Sequence, residues 1–180
     1  MAKLRMRAAL SALAAGILIT VGGCSESHPT VNSAVDFANR FHRIELRGGA
    51  ESSSIANAAP IRAEKVIGPE GGTLEIPGGH SLTFPSGAVS KPTTIRARVD
   101  MQYVEVDLDP HGIQFPAGRE PTLKLSYAGA STAGFRSLTI AYFDEAGRYL
   151  EDMRGVDSST TQAVNARLPH FSRYALVGAN

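Results

Sequence analysis

Tryptophan is absent from this 180-residue chain, and cysteine occurs once, at Cys24. A lone cysteine excludes an intramolecular disulfide, so the fold must rest on a hydrophobic core rather than on covalent staples. The one long apolar run, Ala8 to Val21, is too short to cross a bilayer as a helix. Basic residues number 18 and acidic residues 17, with no clustered excess of Lys and Arg, which excludes a phosphate-reading surface and with it a nucleic-acid partner. The nucleophile elbow Gly-x-Ser-x-Gly is missing: Ser86 lies in Pro85-Ser86-Gly87, and Ser126, Ser131 and Ser137 have no inferable base nearby. No ordinary hydrolase, and no enzyme acting on an external substrate, is expected. His28, His42, His80, His111 and His170 are scattered without a pair at ligand spacing, so neither a metal nor another cofactor is expected.

What is present begins with a targeting signature. Lys3, Arg5 and Arg7 form a basic start, the apolar run follows, and Val21-Gly22-Gly23 places small residues before Cys24. This run resembles the bacterial lipoprotein signal, whose cysteine is acylated and becomes the mature N-terminus. The resemblance implies lipidation of Cys24, with residues 1–23 removed and the membrane as a partner through the acyl chains. Two chains give stable attachment where one is marginal. Ser25 follows the cysteine where Asp would mark inner-membrane retention, so the implied address is the cell envelope, on the outer membrane. Removing Lys3, Arg5 and Arg7 leaves 15 basic against 17 acidic residues, a net charge of −2.

Residues 24–63 read as a tether. Arg47 to Ser54 and Ala56 to Pro60 are small and polar. A weak helical pattern spans Asn32 to Leu46, with Ser33 and Asp36 as a start signal, and Phe37, Phe41, Ile44 and Leu46 are candidates to dock. Residues 64–180 read as one all-β domain, an antiparallel β-sandwich. Short alternating runs recur there between Gly, Pro, Asn and Asp clusters. Thr94 to Val99 places Ile95, Ala97 and Val99 inward and Arg96 and Arg98 outward; Thr122 to Tyr127 and Ser137 to Tyr142 repeat the pattern. Asp144-Glu145-Ala146-Gly147 fits a hairpin turn. Phe84-Pro85-Ser86-Gly87, Leu108 to Gly112 and Phe115-Pro116 each read as the end of a strand. Thr160 to Leu168 reads as a strand stopped by Pro169, and Tyr174 to Val177 as the closing strand, with His170-Phe171-Ser172 at the corner between them.

Four motifs in order are more specific. They are Gly71-Gly72-Thr73-Leu74, Leu82 to Val89, Asp109 to Pro116, and Pro121 to Leu125, and they are completed by His170 to Leu176. Residues 64–178 resemble the ZU-type domain of zonula occludens, netrin-receptor and ankyrin proteins, which also occurs in bacterial secreted proteins. The resemblance implies a β-sandwich used for adhesion or protein interaction, with an envelope or extracellular protein as partner. In some relatives a His-Phe-Ser motif cuts its own chain. Carried over by motif, Ser172 Oγ attacks the Phe171 carbonyl, His170 takes the hydroxyl proton, and water hydrolyses the resulting ester. That chemistry needs a base near the hydroxyl and a strained peptide. The same three residues also serve as packing: His170 bonds the corner and Phe171 fills the core. Packing is the working expectation and autoproteolysis between Phe171 and Ser172 the alternative. A further alternative is a carbohydrate- or calcium-binding envelope module, for which Asp100, Asp107 and Asp109 are the candidate oxygen ligands.

Overall fold

The computed structural model describes residues 40–47 and 61–180. The signal, Cys24 and most of the expected tether lie outside the described residues. Twelve strands follow in chain order: β1 (Phe41–Arg43), β2 (Ile61–Ile67), β3 (Gly72–Ile76), β4 (His80–Phe84), β5 (Thr93–Val99), β6 (Glu105–Asp109), β7 (Thr122–Ser126), β8 (Ser137–Phe143), β9 (Tyr149–Asp152), β10 (Val156–Ser158), β11 (Ala163–Arg167) and β12 (Arg173–Ala179). They form two antiparallel sheets. One runs β2-β5-β6-β12-β8-β9 with β1 added on β12, and the other runs β10-β11-β7-β4-β3. The sequence-based expectation of an all-β antiparallel sandwich is met.

The alternation that marks each strand also builds the core. Ile95 and Ala97 of β5, Leu108 of β6, Ile140 of β8 and Leu176 of β12 face Leu82 of β4, Leu123 and Leu125 of β7 and Val164 of β11, and all are buried. Residues of a strand that share a face repeat every second position, so polar residues fall outward by default. Arg96 pairs there with Glu64, and Arg98 spans Asp107 at 3.2 Å and Asp109 at 2.6 Å. The Asp144 hairpin forms as expected: Gly147 has φ of 74°, and its N–H bonds Asp144 O at 2.9 Å.

Four expectations require correction. Phe41, Ile44 and Leu46 do dock on the domain, but as extended chain built into the sandwich and not as a helix in a tether: Phe41 pairs with Ala179 and Arg43 with Val177, and Ile44 is fully buried. The cause is β12, seven residues long, of which β6 covers only Arg173 to Ala175 along one edge. Leaving the rest of that edge unpaired inside the fold would cost several hydrogen bonds. Likewise β2 starts at Ile61, ahead of the expected boundary at 64. Gly112 to Phe115 makes only an isolated bridge, Gln114 to His170, and no strand, because its backbone bonds go to Pro169 and Phe171 at the chain's last corner. Finally, β11 starts at Ala163 and not at Thr160, since Gln162 turns the chain with φ of 48°.

Candidate functional site

The corner carries the chain from the five-stranded sheet to the seven-stranded one. Along it the backbone is bonded at nearly every residue. Leu168 N–H donates to Pro121 O at 2.9 Å, Phe115 N–H to Pro169 O at 2.9 Å, and Phe171 N–H to Ile113 O at 3.2 Å. Beyond these, Leu108 N–H donates to Ser172 O at 3.1 Å, and Gly112 N–H to Phe171 O at 3.4 Å. Phe171 is inserted between the sheets, where its ring meets Phe115 edge-on at 4.9 Å and Phe84 at 6.0 Å. Each such aromatic pair adds about 0.5–1.5 kcal/mol beyond burial.

His170 is engaged by Tyr174 of β12. The Tyr174 hydroxyl donates to His170 O at 2.7 Å and lies 3.2 Å from His170 Nδ1. A hydroxyl has one proton, and the short bond to the carbonyl uses it, so Nδ1–H must be the donor to the phenolic oxygen. That assignment leaves the lone pair of the neutral ring at Nε2. Burial pushes the Tyr174 hydroxyl far above the ordinary phenol range, with Tyr142 and Glu151 adding to the shift, so it remains a donor. The imidazole also packs edge-on against Tyr142 at 4.7 Å. No hydrogen bond joins His170 to Ser172, and Ser172 Oγ has no hydrogen-bond partner among the described residues. No residue of the corner has positive φ. The structure therefore supplies neither of the two requirements for self-cleavage, a paired base and a strained φ, although Gly112 N–H does place a donor on the carbonyl that would be attacked. Tyr174→Phe is expected to cost about 1 kcal/mol in urea unfolding, the usual net worth of one neutral hydrogen bond.

Over the corner lies a cleft of about 360 Å³ lined by His111, Gln114, Tyr142, Asp144, His170 and Ser172, among others. Sequence spacing gives no hint that His111 and His170 meet here. Among the described residues, however, no group of three His, Cys, Asp or Glu side chains is placed to hold a metal ion. His111 Nε2 is 2.7 Å from Asp107 Oδ1. The three candidate calcium ligands do not converge: Asp107 and Asp109 are held by Arg98, while Asp100 Oδ1 caps its own turn on the N–H groups of Gln102 and Tyr103.

On the outer face of the larger sheet, Glu105 is buried between Arg43 of β1, at 3.0 Å, and Arg173 of β12, at 3.4 Å. Its Oε2 is in charge contact with Arg43 but has no in-line hydrogen bond. Burial pushes the Glu105 carboxyl above its ordinary value despite Arg43. The Arg43 guanidinium stacks 4.3 Å from the centre of the Phe143 ring. Tyr174, Gly112, Arg43 and Glu105 carry no sequence signal of their role; only cross-strand register brings them to these sites. No helix among the described residues is long and apolar enough to cross a membrane. No family model and no curated protein sequence matches this chain.

Proposed function

We propose that the chain is an envelope lipoprotein, tethered through acylated Cys24 to the outer membrane, that presents one non-enzymatic β-sandwich as an adhesion or protein-interaction module. The reading of the N-terminus rests on the lipobox-like run ending at Cys24, and that of the domain on the ZU-like motif order. One observation carries the non-enzymatic part: His170 is bonded to Tyr174 and not to Ser172, and Phe171 is a core side chain. The His-Phe-Ser corner then serves as a packing device that locks the crossing between the sheets. Intact mass of the domain expressed with Cys24→Ser tests this reading. A single full-length mass after long incubation is expected, and Ser172→Ala is expected to differ from the parent in mass only by the lost oxygen and in unfolding free energy by no more than about 0.5 kcal/mol.

A second reading is favoured by Gly112 N–H on the Phe171 carbonyl, where an acyl transfer would place its oxyanion donor. In it Ser172 Oγ displaces its own peptide nitrogen to form an ester, and water releases residues 172–180. Loss of that segment from the measured mass, abolished in Ser172→Ala, would establish self-cleavage and remove the packing reading. Radiolabelled palmitate incorporation that depends on Cys24 tests the anchor separately.

A further inference from the structure

We propose that Phe41–Leu46 is a donor strand that can be exchanged between two copies of this chain, so that a second copy is one partner of the sandwich. The inference deepens the interaction-module reading and draws on how the segment is held. Residues 41–43 pair with the C-terminal half of β12, and then Ile44 N–H donates to Leu176 O at 3.0 Å while Val104 N–H donates to Ile44 O at 2.9 Å. Further on, Leu46 N–H donates to Gln102 O at 2.9 Å, Arg47 N–H to Gly129 O at 2.9 Å, and Ser131 N–H to Glu45 O at 3.0 Å. The segment is thus threaded into a slot whose two walls, residues 102–104 and 129–131, come from elsewhere in the chain.

The slot also has side-chain specificity. It provides a core position for Ile44 and a shelf of Ala141, Phe143, Ala175 and Val177 on which Phe41 packs. It also holds the buried carboxylate of Glu105 for Arg43, whose Nη2 further reaches Gly147 O at 3.2 Å. An occupant needs a guanidinium for Glu105 and a branched aliphatic at the core position, with the half-buried Phe41 adding contact at the rim, and this chain's own segment supplies them. Thirteen residues separate Arg47 from Ile61. They span at most about 45 Å, more than the ~30 Å expected for twice the radius of gyration of a 120-residue domain, so the slot of a neighbouring copy is within reach.

Cis and trans occupancy preserve the same contacts, so the outcome is set by concentration. A short connection holds the segment at an effective concentration on the order of millimolar. Dilute chains therefore keep their own strand, and chains crowded on a surface exchange it.

The test uses the full mature chain with Cys24→Ser and a cysteine pair, Phe41→Cys with Ala179→Cys, across one cross-strand partner position. After oxidation the expected product is an intrachain disulfide at about 10 µM, with a covalent dimer reaching roughly half of the material near 1 mM. Single-cysteine chains report random crosslinking, and sedimentation of the Cys24→Ser chain without the pair gives the same answer without any added cysteine. Monomers alone across that range, or dimers equal to those of the single-cysteine controls, would overturn the exchange. Because the experiment is done in solution, its failure leaves the membrane-anchor reading untouched.

Discussion

A chain that begins at Ile61 is expected to lose its cooperative unfolding transition, although the alternating pattern of the sequence places the domain after residue 63. The reason is the amount of core that lies upstream. Ile44 is fully buried, and replacing such a residue by Ala costs about 2–5 kcal/mol. Deleting the whole segment also strips the cover from Phe143 and Val177, leaves Glu105 with Arg173 alone, and orphans Leu176 O and Val104 N–H in the interior. Each buried, unsatisfied backbone group costs about 1–3 kcal/mol, and domains of this size are stable by only about 5–15 kcal/mol. The sum reaches the whole stability of the domain. Ile44→Ala in the otherwise intact mature chain is the graded version, expected to lower the unfolding free energy by about 2–5 kcal/mol, seen as a lower urea midpoint with no change in m-value. Circular dichroism of the two proteins beside their parent checks both. Equal midpoints for the chain from Ile61 and the parent would show that β1 contributes nothing.

The same segment shows where sequence reasoning ends. Phe41, Ile44 and Leu46 fit either a helical face or a bent strand, because six residues are too few to separate a period of 3.6 from a period of 2. What decides is the unpaired half of β12, more than 130 residues further on. By contrast, Ile95, Ala97 and Val99 were legible at once, since a long half-buried strand imposes its period on its own residues. The Asp144 hairpin was legible because its turn chemistry is local. The corner was legible as a place and not as a role. His170 and Ser172 are two residues apart in any conformation, but the partner of the imidazole, Tyr174, is selected by the strand that follows. The donor at the Phe171 carbonyl, Gly112, comes from a loop 59 residues upstream. Phe115 misled for a related reason: Phe-Pro does end a segment, but that segment is tied to the corner by its backbone and not to a neighbouring strand.

Acid is expected to destabilise this domain through one histidine well away from the corner. His80 is buried at the start of β4, and its Nδ1 accepts the N–H of Ser126 at 3.0 Å, a bond that only the neutral ring can make. Burial, and after it the charge of Lys124, lowers its pKa from 6.5 to about 4. The unfolded chain takes up a proton near pH 6.5 and the folded chain only near pH 4, so between these values the unfolded state binds more protons. Stability due to His80 is then complete above pH 6.5 and lost as pH falls towards 4. The full shift corresponds to about 3 kcal/mol, or on the order of 10 °C in Tm. Glu105 works in the opposite direction: its carboxyl is raised by burial, so the folded state gains a proton more readily and is favoured as pH falls. The two are separated by His80→Gln, which does not titrate and keeps an acceptor for Ser126. The difference in unfolding free energy between parent and variant, measured at pH 7, 5.5 and 4.5, should shrink or change sign with a slope approaching one proton. Parallel curves would mean that the imidazole is not held neutral by the fold, and that acid acts on the carboxylates of the outer sheet face instead.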